Sequence, residues 1–112
     1  MRLPNPDKAI IAKAKLTDYL LSSAHPSGRT KARFFADHGF TPANWQQLEI
    51  ALRNHVTEHD ATTMITMYGT KYIVEGPLNT PRKTNPMIRA VWFVETGDDA
   101  PRFVTAYPVQ TR

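Results

Sequence analysis

The chain has no cysteine, and none of its 112 residues belongs to an apolar run near the roughly 20 residues needed to cross a membrane. The absence of cysteine excludes disulfides, thiolate metal sites and a cysteine nucleophile. Residues 1–7 also lack the apolar run of a signal peptide. We therefore expect a cytoplasmic protein without a membrane partner.

Repeats, low-complexity tracts and linkers are also missing from the sequence. With 112 residues the chain is long enough for one hydrophobic core, so we expect a single domain over residues 1–112. The 14 lysine and arginine residues outnumber the 10 acidic ones and give a formal charge of +4. This positive charge favours approach to a polyanion such as nucleic acid, but it does not by itself establish binding.

Three helices are predicted in the first half of the chain. Apolar residues at helical spacing predict one helix over residues 13–21. Thr30 is a suitable N-terminal cap for a second helix, which runs to residue 38 and ends at Gly39. Thr41 followed by Pro42 marks the start of a third helix, which ends before Asp60.

The second half is rich in β-branched and aromatic residues and predicts four strands, at 62–68, 71–75, 87–95 and 102–107. Gly69 and Thr70 suit a tight turn between the first two strands, and a short turn-rich segment joins the last two. The order of the elements predicts an α+β fold in which N-terminal helices pack on one face of a four-stranded antiparallel meander.

The densest basic cluster lies between the first two predicted helices. Pro26 holds His25 out of helical geometry, and Arg29, Lys31 and Arg33 follow at the start of the next helix. Cations beside the amides of a helix start can cradle a phosphate, and a histidine exchanges protons near neutral pH. These residues suit phosphodiester chemistry. The alternative interpretation is a set of solvated surface charges and a histidine that only hydrogen-bonds within its turn.

The last strand offers two hydroxyl groups. Thr105 and Tyr107 are two residues apart, so both side chains emerge on the same face of the sheet. Whether Arg89 joins them depends on the strand register, which the sequence leaves open. At the first hairpin, Lys71 lies between Tyr68 and Tyr72, a combination that can stack and neutralise a nucleotide or that can serve solubility alone.

Metal binding is not expected. His55 and His59 have a spacing that can bind a metal, but no third ligand is spaced to complete the site. We expect no cofactor.

Several stretches carry a family resemblance: LPNPDKAII near the start, KLTDYLLSSAHPSGRTKARFF from Lys15, then YGTKYIVEG, IRAVWFVETGDDAP and FVTAYP. They cover most of the chain and resemble an uncharacterised bacterial domain family that occurs alone and at the C-termini of polymorphic toxins. That family is similar to the barnase, EndoU, colicin and RelE-type ribonucleases, which place helices before a four-stranded antiparallel sheet and cleave RNA without metal. One departure is Ala12, where the family often has an Asp or Asn helix cap.

The resemblance implies a metal-independent endoribonuclease toxin, paired with an antitoxin or immunity protein. A 2′-hydroxyl of the RNA would attack the adjacent phosphate and leave a 2′,3′-cyclic phosphate. The implied roles are general base or acid for His25, stabilisation of the charged phosphorane by Lys31 and Arg29, and orientation of the phosphate by Thr105 and Tyr107, with Arg89 as a further candidate.

Two other functions are compatible with the same residues. The first is a non-catalytic nucleic-acid-binding module, in which Tyr68, Tyr72 or Tyr107 stacks on bases and the cations contact phosphates. The second is a protein-interaction domain, antitoxin-like or a phage accessory protein, that uses the sheet face. Salt-sensitive RNA binding that survives His25→Ala would indicate the first, and a stable protein partner without RNA affinity would indicate the second.

Overall fold

The computed structural model describes residues 1–22, 24 and 29–109. Within them, helices come first and strands follow. The helical elements are α1 (Lys13–Lys15), a π-helical turn (Leu16–Leu20), α2 (Arg29–Asp37) and α3 (Trp45–Glu58). The strands are β1 (Ala61–Thr66), β2 (Gly69–Pro77), β3 (Met87–Glu95) and β4 (Arg102–Pro108). The sheet order β1-β2-β3-β4, all antiparallel, confirms the predicted α+β fold.

The core lies between the helices and one face of the sheet. The helices contribute fully buried apolar side chains, among them Leu16, Leu20, Phe35, Leu48 and Leu52. The sheet contributes Val74, Ile88, Ala90, Trp92 and Ala106. Because side chains alternate along a strand, the residues between these belong to the opposite face. None of the described helices is long and apolar enough to cross a membrane.

The first helix differs from the regular helix predicted over residues 13–21. One α turn widens into the π turn, in which the N–H of Leu21 donates to the carbonyl oxygen of Leu16 over 2.8 Å. Ala12, at its N-terminal cap, makes no side-chain hydrogen bond. Such widened turns occur singly and often at functional sites. Here Leu16 and Leu20 remain buried while Tyr19 reaches β4.

The turn between β1 and β2 falls at Met67 and Tyr68, and the predicted turn at Gly69 and Thr70 is wrong. The hydroxyl oxygen of Thr66 accepts hydrogen bonds from the N–H groups of Tyr68 and Gly69, which closes the turn. Gly69 belongs to β2 instead, where a Cβ atom would lie 2.2 Å from the carbonyl oxygen of Val94. The glycine is needed for this close approach to β3 rather than for the turn itself.

The start of the third helix follows the sequence prediction closely. The backbone N–H of Thr41 donates to Asn44 Oδ1 over 2.6 Å, in a short 3-10 turn, Pro42–Asn44, that leads into α3. Phe40 is buried and Trp45 packs against the core, so the apolar pair on either side of the cap fixes the entry of the chain into α3.

Candidate functional site

The strand register brings Arg89 beside Tyr107. Arg89 is paired with Glu75 on one side and with Tyr107 on the other, and Thr105 is paired with Val91, the next residue on the same face of β3. Arg89 Nη1 donates to the Tyr107 hydroxyl over 3.4 Å, and the guanidinium also forms an ion pair with Glu75. Tyr107 and Glu75 together raise the pKa of Arg89. The register left open by the sequence therefore places Arg89 with the two hydroxyl residues.

Tyr19 joins this group from the other end of the chain. Its hydroxyl lies 3.5 Å from Thr105 Oγ1, and the Lys31 and Lys15 ammonium groups lie 5.3 Å and 5.9 Å from the centre of its ring. The hydrogen bond with Thr105, followed by the contact with Lys31, lowers the pKa of Tyr19 below the usual value of 10.0. The π turn and α2 thus deliver a phenol and a cation to the edge of β4.

A pocket of about 380 Å³ opens beside these groups, lined by Thr30, Lys31, Phe34, Tyr107 and Pro108. Its wall combines a cation, hydroxyl groups and an aromatic ring. Donors of this kind bind phosphate oxygens, and an aromatic ring can stack on a nucleobase. We call the cluster of Tyr19, Lys31, Thr105, Tyr107 and Arg89 the β4-edge site.

The remaining candidate residues lie elsewhere. Arg29 and Arg33 line a separate pocket of about 670 Å³, together with Leu21, Thr30, Ala32, Ala36 and Pro42. Because successive helical residues are rotated by about 100°, both arginines lie on the side of α2 away from Lys31. Lys71 is paired with Phe93, four residues along β3 from Arg89, which is about 13 Å at the usual rise. His25 lies outside the described residues.

Most of the excess positive charge of the chain lies in its first helices. Residues 9–37 contain five lysine and arginine residues and two aspartates, whereas the rest of the chain has nine basic and eight acidic residues. The segment that includes α1, the π turn and α2 therefore carries +3 of the formal charge of +4. Among the described residues, the ion pairs of the protein use Arg2, Lys8, Arg53 and Arg89, and none of these cations belongs to that segment.

The open face of the sheet offers a second pocket, of about 350 Å³, lined by Asp60, Thr62, Ile73, Glu75 and Arg89. Two carboxylates in this wall, with only one guanidinium, disfavour a polyanion. The open face of the sheet is therefore less suited to nucleic acid than the pocket at the β4 edge.

His55 on α3 and His59, directly after that helix, take part in packing and hydrogen bonding within the fold. His55 is buried, its Nε2–H donates to the carbonyl oxygen of Gly76 over 3.1 Å, and its ring centre lies 5.0 Å from that of His59. Burial lowers the pKa of His55 to about 4. In the part of the chain that the structure describes, no three histidine, aspartate or glutamate side chains are grouped to hold a metal ion.

Sequence reasoning missed Tyr19 as a site residue, because its spacing also fits the apolar stripe of the first helix. A signal was present in Lys15, one helical turn earlier, because residues four apart share a helix face and a lysine there places a cation over the ring. The contact with Thr105 depends on the π turn and on the packing against β4, neither of which has a local sequence signature.

The fold and the site together define a small α+β domain with basic helices at the edge of its last strand. The chain belongs to the family described as a domain of unknown function (DUF6883), whose profile matches residues 2–110. No curated protein and no solved structure matches the chain.

Proposed function

We propose that the protein is a metal-independent endoribonuclease. The 2′-hydroxyl oxygen of the substrate RNA attacks the adjacent phosphorus, the bond to the 5′ oxygen breaks, and the products carry a 2′,3′-cyclic phosphate and a 5′-hydroxyl. The observation that carries the proposal is that Lys31 and Tyr107 line one pocket, while Tyr19 contacts both Lys31 and Thr105 beside it.

The β4-edge site has groups suited to a pentavalent phosphorane. The Lys31 ammonium and the Tyr107 hydroxyl supply a positive charge and a hydrogen-bond donor for the non-bridging oxygens, where negative charge increases in the transition state. Arg89 is held by Glu75 and contacts the Tyr107 hydroxyl. We assign to Arg89 the positioning of Tyr107 and added positive potential, rather than a primary contact with the reacting phosphate.

Two protons move during the reaction, one from the 2′-hydroxyl and one to the departing 5′ oxygen. Tyr19 is a phenol with a lowered pKa beside the cation of Lys31, which suits a general acid for the 5′ oxygen. His25 keeps the role of general base that follows from the family resemblance, and its position relative to the site is a prediction.

The substrate reaches the site along the basic helices. Most of the excess charge, +3 of +4, lies within residues 9–37, so RNA is drawn to the helical side of the molecule. A toxin of this kind needs a neutralising antitoxin or immunity protein. Complementarity to the same segment predicts an acidic partner that covers the pocket.

The test is incubation of total bacterial RNA with the purified protein in EDTA, beside Lys31→Ala and His25→Ala variants of verified folding. The Lys71→Ala variant is the matched control, because it removes the same charge at a distance from the site. We expect cleavage by the wild type and by Lys71→Ala, and its loss in the other two. RNA binding without cleavage by the wild type would favour the binding-module alternative, and neither binding nor cleavage would exclude both.

A further inference from the structure

The strand at the other edge of the sheet has features of a pairing surface. Within the described part of the chain β1 pairs only with β2, and every residue of β1 after Ala61 is exposed. Its register with β2 is continuous, without a bulge. From Ala61 to Thr70 the chain contains no charged residue and no proline. Edge strands are commonly protected from association by lysine, proline or a bulge, and β1 has none of these.

The backbone of β1 presents free hydrogen-bonding groups at this edge. The N–H of Ala61 donates to the carbonyl oxygen of Met1, so it points away from β2. Groups along an antiparallel strand alternate in direction, and the N–H and C=O of Thr63 and Ile65 therefore also point outward. Among the described residues, no backbone group is bonded to them. The edge thus offers two donors and two acceptors at the spacing of a β ladder.

Apolar side chains surround these groups. Ile65 is 83% exposed, and Met64, Met67 and Tyr68 are also largely exposed. These side chains lie on both faces of β1 and at its turn, so a strand added at the edge would cover apolar surface on both sides.

We propose that β1 pairs antiparallel with β1 of a second copy of the chain and forms a continuous eight-stranded sheet. With a two-fold axis at Met64, Thr63 of one protomer faces Ile65 of its partner, and each residue satisfies the outward N–H and C=O of the other. An uncharged strand gains nothing electrostatically from a charged partner, whereas its own copy brings complementary backbone groups and no like charge to the interface.

The charge distribution supports a second copy as the occupant. Most of the excess positive charge lies on the helices at the β4 side, three strands away from β1, or about 14 Å at the usual strand spacing. A dimer through β1 therefore places the two basic segments at opposite ends of the extended sheet, where their repulsion is weakest. Both β4-edge sites stay open in this arrangement, and the proposal does not depend on the proposed ribonuclease activity.

The test is sedimentation velocity of the whole chain from about 1 µM to about 500 µM, since a single short strand pair makes a small interface. We expect the wild type to change from monomer to dimer within this range. The Ile65→Lys variant should raise the half-dimerisation concentration by at least about tenfold, because it puts like charges across the axis. The matched control is Ile50→Lys, the same change at a 59% exposed position on α3, which should dimerise as the wild type does.

Amide hydrogen exchange provides the second measurement. Exchange at Thr63 and Ile65 should slow as the concentration rises, while exchange in the paired groups of β2 should not change. A wild type that is monomeric throughout the range would overturn the proposal, even if it binds another protein through β1. A dimer that is equally stable in Ile65→Lys would also overturn it, because the interface would lie elsewhere.

Discussion

The Tyr19 hydroxyl lies 3.5 Å from the Thr105 hydroxyl, although 86 residues separate the two along the chain. This contact joins the π turn to the last strand and places Tyr19 between Lys31 and β4. The hydrogen bond with Thr105 is also the largest contribution to the lowered pKa of Tyr19. The pair therefore links the unusual helical turn to the chemistry that we assign to the site.

Removal of the Tyr19 hydroxyl tests that assignment. Tyr19→Phe keeps the ring and removes the proposed proton donor, so we expect the single-turnover rate of RNA cleavage to fall about 100-fold. The free energy of unfolding should change by less than about 1 kcal/mol, since the lost hydrogen bond is long and only partly buried. Tyr68→Phe, at the exposed turn after β1, is the control and should cleave as the wild type does. Equal loss in both variants, or in neither, would remove Tyr19 from the mechanism.

Arg29 and Arg33 should affect binding without affecting chemistry. Both lie on the side of α2 away from Lys31, so they can neutralise flanking phosphates but not the scissile one. For the double variant Arg29→Ala, Arg33→Ala, the slope of log affinity against log salt concentration should decrease by about 1.4 for single-stranded RNA. The cleavage rate at saturating RNA should stay within about threefold of the wild type. A much larger fall in that rate would place these arginines at the reacting phosphate.

The buried His55 predicts a pH dependence of stability. Its pKa is about 4 in the folded protein, against the ordinary histidine value of 6.5, so the unfolded chain binds the proton first. The contribution of the neutral His55 to the free energy of unfolding is complete above pH 6.5. It is lost as the pH falls towards 4, by about 3 kcal/mol in total. Urea unfolding at several pH values measures this effect.

His55→Gln removes the titrating group and keeps a donor for the carbonyl oxygen of Gly76, so its pH dependence over this range should be flatter than that of the wild type. The control His38→Gln changes another histidine, bonded to Thr84, and keeps His55. A His55→Gln variant with the wild-type slope would show that another group controls acid stability.

Gly76 is required by the ring of His59. A Cβ atom at this position would lie 2.5 Å from His59 Cδ2, so Gly76→Ala should lower the free energy of unfolding by about 1–3 kcal/mol. The double variant Gly76→Ala, His59→Ala should recover part of that loss, because the ring is gone. Additive effects in the double variant would mean that the clash is not the cause.

The sequence predicted those features that depend on local chemistry. Thr41, Pro42 and the β-branched runs placed the third helix and the strands within a few residues, because each signal lies within one turn or one strand. The choice of Thr105 and Tyr107 followed from strand alternation alone. Lys31 was selected for its place at a helix start.

Features that depend on distant packing were not predictable in the same way. The contact between Tyr19 and Thr105 requires the π turn, and the pairing of Arg89 with Tyr107 requires the register of β3 and β4. That Lys31, rather than Arg29, lies beside β4 follows from which side of α2 meets that strand. None of these has a short sequence signature, since each is decided by how an apolar face fits its neighbours.

The most direct test of the central claim is the chemistry of the cut ends. A defined RNA and the same RNA with 2′-O-methyl groups at every position are incubated with the protein in EDTA, and the ends are identified by mass spectrometry. The account predicts 2′,3′-cyclic phosphate and 5′-hydroxyl ends from the first RNA and no cleavage of the second. Cleavage of the methylated RNA, or products with 5′-phosphate ends, would contradict it.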